Sequence, residues 1–261
     1  MNLPFLKLRV ADCPWIVFDR SSEAPGDELP WGPIAVDICS RSRGASAVGV
    51  IVLGRRDGRP EARTWDSAGE PRDPPPAALL CASRLLFDAG RAGPDSVSLR
   101  IPSGEAEVMV IDSRILGLSV GFPSREDGSS LGEAAGALGR GFSAPAGLCV
   151  AMPVRLGAET LEVVLFDSPP ARKSVRRTAS RVDALAVSRQ ELRVRRGTRD
   201  PLVAAAAALA AAVEADYADR EASVIVGGDR LVAQWPEGGP VFVATAPEYC
   251  LSGEFWIAEP R

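Results

Sequence analysis

The sequence contains no histidine. That absence removes the commonest general base at neutral pH and the commonest metal ligand. It excludes Ser–His–Asp and Cys–His nucleophilic schemes, and it removes most of the usual zinc ligand sets. Paired cysteines are missing too. The five thiols, Cys13, Cys39, Cys81, Cys149 and Cys250, form no C-x-x-C, and an odd count argues against a disulfide framework. The longest apolar run, "LVAAAAALAAAV" (202–213), is shorter than the roughly 20 residues a membrane helix needs. The opening "MNLPFLKLRVADCPWIVFD" has no charged n-region followed by a long apolar stretch, so no secretory signal is expected. A net charge of −4 provides no general attraction to nucleic acid. From these absences we expect a cytoplasmic protein with free thiols, no metal, no membrane segment and no nucleic-acid partner.

What is present is ordinary globular material: 261 residues, 46% hydrophobic and 25% charged, enough for one large domain or two small ones. The chain echoes itself. Segments starting at Arg72 and Arg199, 127 residues apart, both open Arg-Asp-Pro. Each continues into an apolar, alanine-containing helix and then two alternating strands joined by a glycine turn ("IPSG", "VGGD"). A third strand closes each, "ILGLSVGF" and "VFVATA", and upstream "PWIVFDRS" (14–21) is matched by "EVVLFDSP" (162–169). The stretch 124–147 is rich in Gly, Ser and Ala and marks a seam. The expected layout is an N-terminal lobe 1–123, a linker 124–146 and a C-terminal lobe 147–261. The class is α+β: two pseudo-symmetric lobes, each a curled, mostly antiparallel sheet around one central helix. The helices should start near Pro74 and Pro201, with Asp73 and Asp200 as N-caps. Leu202 to Val213 is apolar on every face, so that helix should be buried all round.

Several ordered motifs resemble the diaminopimelate epimerase family. "FLKLRVADCPWIVFD" (5–19) is similar to its opening, and "ICSRSRGASAVGVIVL" (38–53) to its L-C-D-R-x-x-G segment. "WDSAGEPRDPPPAALLCASRLL" (65–86) lines up on the first cysteine motif, "RVRRGTRDPLVAAAAA" (193–208) on the second, and "TAPEYCLSGEFW" (245–256) on the family ending. The resemblance implies the two-lobed fold. It also implies cofactor-independent epimerisation of an amino acid by two thiols, one removing the α-proton and the other returning a proton on the opposite face.

The positions that carry that chemistry differ here. The thiol positions hold Pro75 and Ala204, and Cys81 matches a later, non-catalytic cysteine. The substrate-contacting asparagines match Cys13, Asp66 and Asp183. Of a Glu-Arg pair, Arg196 remains and Arg195 replaces the glutamate. The glycines that let the backbone close on a substrate carboxylate are Pro76, Ala77 and Ala78 in one half and Ala205, Ala206 and Ala207 in the other. Three consecutive prolines also delete amide donors at the first helix entrance.

Two function classes follow. The first is an epimerase-like protein that has lost cysteine chemistry and serves as a binding or partner subunit, as a homodimer or paired with an active paralogue. Its ligand-contacting positions would be Cys13, Asp66, Asp183, Arg195 and Arg196, and an amino-acid-like molecule is the ligand the resemblance implies. The second is a cofactor-independent isomerase using Asp73 and Asp200 as acid and base, or Cys13 as a lone nucleophile. A basic stretch, 172–199, carries ten Lys/Arg against Asp183 and Glu191; alternation in "ELRVRRG" puts Arg193 and Arg195 on one strand face, solvated or facing an acidic partner.

Overall fold

The computed structural model describes residues 2–22, 29–124, 148–157, 159–169, 180–196 and 200–257; at Leu148 and Arg196 it describes the backbone only. The linker expected at 124–146 lies, after Ser124, outside the described residues. The chain divides into two compact units: Met1–Leu118 with Ala246–Arg261, and Ser119–Thr245. This division assigns the C-terminal strand differently from the 147–261 lobe read in the sequence. The reason is pairing: β17 (Glu248–Trp256) runs antiparallel to β1 (Asn2–Val10) along its whole length, from Asn2↔Trp256 to Arg9↔Glu248.

In the first unit, β1 pairs with β2 (Cys13–Asp19), and β2 lies parallel to β3 (Gly49–Arg56). Next come β4 (Arg59–Asp66) with the short β5 (Pro71–Arg72), then β6 (Ser96–Ile101), β7 (Gly104–Val110) and the first half of β8 (Leu116–Gly121), whose residues from Ser119 belong to the second unit. Most pairs are antiparallel, but β2/β3 and β4/β6 are parallel, so the sheet is mixed. Each parallel pair spans a helical crossover, as parallel neighbours require. The crossover after β4 is α2 (Pro76–Asp88), which packs on β1, β2, β3, β4, β6 and β7.

The other crossover is α1 (Trp31–Cys39), a helix the sequence reading did not anticipate. Its buried positions Trp31, Ile34, Ala35 and Ile38 follow helical spacing. They pack with Leu3, Ile16, Phe18, Val50 and Val52 on one sheet face. Strand alternation sends the intervening Val17, Ile51 and Leu53 to the α2 side, where they are also fully buried. The N-terminal end of α1 docks backbone to backbone on the turn after β4. A Cβ on Gly69 (φ +85°) would come within 2.7 Å of the Gly32 carbonyl, so neither glycine has room for a side chain.

The second unit repeats the order of pairings. β9 (Pro123–Ser124), β10 (Leu148–Leu156) and β11 (Glu159–Phe166) are antiparallel, and β11 is parallel to β12 (Arg181–Ser188). β12 pairs with β13 (Glu191–Arg196), and β13 is parallel to β14 (Glu221–Val226). β15 (Asp229–Gln234) and β16 (Val241–Thr245) complete it. Its helix, α3 (Pro201–Glu214), touches every strand from β10 to β16, and every residue from Pro201 to Ala212 is buried. Alanine makes this possible, because strands can approach a helix closely on all sides only where its side chains are small.

Candidate functional site

The entrance to α2 differs from the expectation. The helix begins at Pro76, not Pro74, and its N-cap is Pro75 in extended geometry (ψ 163°), with no side-chain cap. The proline run explains this. A residue preceding proline is pushed out of the α region, so Asp73, Pro74 and Pro75 are each kept extended and only the last proline can be helical. Asp73 is therefore not the cap. It is exposed, and its Oδ1 accepts the Ser103 amide at 3.1 Å, tying the helix entrance to the β6–β7 turn. Of the three prolines only Pro76 removes a helical donor.

The entrance to α3 is capped as expected. Asp200 is 5% exposed, and its Oδ1 accepts the amides of Leu202 (2.8 Å) and Val203 (3.2 Å). Pro76 and Pro201 are the first helical residues, an offset of 125 rather than 127, so Asp200 corresponds to Pro75 and not to Asp73. The first helical bonds confirm the correspondence: Leu79 N to the Pro75 carbonyl, Ala204 N to the Asp200 carbonyl. The two positions aligned with thiols are thus not equivalent. Pro75 stands before the first turn, and Ala204 stands a turn inside its helix with no exposed surface.

Asp66, at the end of β4, organises the approach to α2. It is 9% exposed, with Oδ1 accepting the Ala68 (2.9 Å) and Glu70 (3.1 Å) amides and Oδ2 accepting Arg72 Nε (3.0 Å). Burial alone would raise its pKa. The amides of Glu70 and Ala68 and the Arg72 guanidinium outweigh that and hold the carboxyl below its ordinary range. Thr64 adds a hydroxyl bond to the Arg72 carbonyl at 2.6 Å. Sequence reading identified Asp66 but missed Thr64 and Arg72. The signal was present: a carboxylate followed by Gly69 and a cation, the pattern of a closed polar turn.

Cys13 opens β2 two residues before Trp15, which lies in register with Gly49 and through it with Asp66. The structure therefore brings Cys13 and Asp66 to the same end of the first unit's sheet. The thiol is 2% exposed. Cys81 is fully buried in α2. Burial pushes the Cys39 thiol up to about 12, with the Asp66 carboxylate adding and the Lys7 ammonium opposing. Burial also raises Cys149.

In the second unit, Asp183 stands directly opposite Arg195 across β12 and β13. Asp183 is ion-paired at 2.8 Å with Arg181, both largely buried, while Arg195 is exposed. Arg196 is opposite Val182, and its side chain lies outside the described residues. Among the described residues no group of three or more Cys, Asp or Glu side chains is arranged to hold a metal, and no helix is long and apolar enough to cross a membrane.

Several solved structures are similar to this one. A phenazine biosynthesis protein of the PhzF family from Enterococcus faecalis aligns over 98% of this chain and 100% of its own at 14% identity, TM-score 0.67. A predicted epimerase from Pseudomonas aeruginosa aligns over 98% and 100% at 19% identity, TM-score 0.65. This chain has their fold. A hydroxyproline epimerase from Agrobacterium vitis, with bound trans-4-hydroxy-L-proline, shares it more distantly: 99% and 94% coverage, 11% identity, TM-score 0.58. No family model and no curated protein matches the chain. The resemblance read from the sequence thus holds at the level of the fold, which the PhzF-family and hydroxyproline epimerase structures share.

Proposed function

We propose that this chain is an epimerase-fold protein, akin to the diaminopimelate epimerases, that does not run two-thiol proton transfer and acts as a non-catalytic binding or partner subunit. One observation carries the reading: the amides that open α3, a natural anion cradle, are already taken by the protein's own Asp200 carboxylate. The surroundings agree. Ala204 to Ala207 have no exposed surface, and Cys13 and Cys81 are buried. A thiolate base works on a substrate held in place, and such positioning is worth about 7–11 kcal/mol of barrier in well-oriented reactions. A helix end closed by an internal carboxylate supplies no such hold.

The test is solvent exchange. The purified chain is incubated in deuterated water with diaminopimelate, proline, hydroxyproline and common amino acids, and α-deuterium is read by mass spectrometry. No incorporation above a protein-free control is expected. Incorporation that disappears in Asp73→Asn or Asp200→Asn would replace this reading with the carboxylate-driven isomerase.

A further inference from the structure

Arg193 and Arg195 close the basic stretch 172–199. Alternation in β13 sends Leu192 and Val194 to the α3 side, so Glu191, Arg193 and Arg195 share the opposite face. The register continues that face onto Ser223 and Ile225 of β14 and onto Arg230 and Val232 of β15. One row across the strands reads Arg193, Ile225, Arg230. All three arginines are exposed, and Val232 is 41% exposed. Three arginines thus share the face with one carboxylate, on a chain of net charge −4. Glu191 and Ser223 hold two of them in place. Glu191 Oε1 accepts Arg193 Nε at 3.2 Å and Nη2 at 3.1 Å, Glu191 Oε2 lies 3.8 Å from Arg230 Nη2, and Ser223 Oγ accepts Arg230 Nη1 at 2.7 Å. Arg195 faces Asp183, which Arg181 already pairs at 2.8 Å, and among the described residues Arg195 makes no ion pair. The first unit treats the matching position differently. Ile16, Val50 and Trp65 form a row across β2, β3 and β4, as Val164, Asp183 and Arg195 do across β11, β12 and β13. Trp65 lies under α1, its ring 6.0 Å from that of Trp31, whereas Arg195 is exposed.

We infer that the face of β13, β14 and β15 receives an acidic amphipathic helix of a partner protein, laid on the sheet as α1 is laid on the first unit's sheet. The spacing fits such a helix. Neighbouring strands are about 4.8 Å apart, so Arg193 and Arg230, two strands apart, stand about 10 Å from each other. On a helix running across the strands, carboxylates at i and i+7 are about 10.5 Å apart. An apolar residue at i+3 or i+4 then meets Ile225, which lies between the two arginines in the row. Arg195 stands about 7 Å along the strand from Arg193, within reach of a carboxylate on the helix flank. Because Glu191 and Ser223 already order Arg193 and Arg230, less side-chain freedom is lost when the partner's carboxylates arrive. Docking here is independent of the proposed loss of proton transfer.

The probe is a capped peptide of two Glu-Glu-Ala-Leu-Leu-Gln-Ala repeats, measured against the full chain by fluorescence anisotropy beside the same peptide with Gln for Glu. The acidic peptide is expected to bind about ten-fold tighter, with the advantage shrinking as salt is raised. Arg195→Gln combined with Arg230→Gln, which leaves the Arg193–Glu191 pair intact, should remove the advantage without moving the urea midpoint. Arg59→Gln, at an exposed arginine of the first unit, should keep it. Equal binding of the two peptides, no binding of either, or an advantage that survives the double variant would overturn the inference. An advantage lost equally in Arg59→Gln would also overturn it, as a diffuse effect of charge. Tighter binding of phosphatidylserine vesicles or of single-stranded DNA, lost in the double variant, would replace it with a membrane or nucleic-acid surface.

Discussion

Asp200 and Asp66 show how a carboxylate is committed by its local backbone. Asp200 caps α3 from a nearly closed site, so Asp200→Ala strands two amides, and loss of such a cap costs about 1–2 kcal/mol. A urea titration should show that loss, with Asp200→Asn retaining most of the stability because an amide oxygen still accepts. Asp66 makes a pH prediction. Its folded pKa lies below the ordinary 3.8, so its contribution is fully present above that value and is lost as pH falls through the depressed one. Stability should therefore decline on acidification below about 4. Asp66→Asn should be less stable at neutral pH and should show a shallower acid decline.

Helix starts are set by short-range rules, and the two entrances here obey different ones. At α3 an aspartate precedes a single proline, and the helix begins on that proline with its amides capped. At α2 each proline holds the preceding residue extended, so the helix waits for the last of the three. The interior of α3 makes a third prediction. Ala207 has no exposed surface and strands pack on every side, so Ala207→Leu should cost about 1–3 kcal/mol through overpacking. A comparable insertion on a half-exposed helix would relax into solvent. A drop in denaturation midpoint of that size, with the slope unchanged, is the expected result.

At the scale of the molecule, both units follow one order of pairings, antiparallel hairpins joined by two parallel crossovers around a helix. The C-terminal strand, last in sequence, is the first unit's edge strand beside β1. Removing residues 246–261 should therefore unfold the first unit at lower denaturant while sparing the second. Tryptophan replacements can separate the two transitions, since Trp15, Trp31 and Trp65 lie in the first unit and Trp235 in the second.

By itself, the sequence determined the class of fold, the all-round burial of α3 and the Asp200 cap. These are local properties, readable from apolar periodicity, capping chemistry and residue identity. The α1 helix was equally legible in Trp31, Ile34, Ala35 and Ile38, but its short span among prolines and glycines reads first as a loop. Tertiary structure alone decided that β17 belongs to the first unit and that Asp73 serves a distant turn. It also decided that Cys13 is shut away in the core. Each depends on which strands meet across long sequence separations, and strand pairing is selected by the burial of whole faces, which no local pattern encodes.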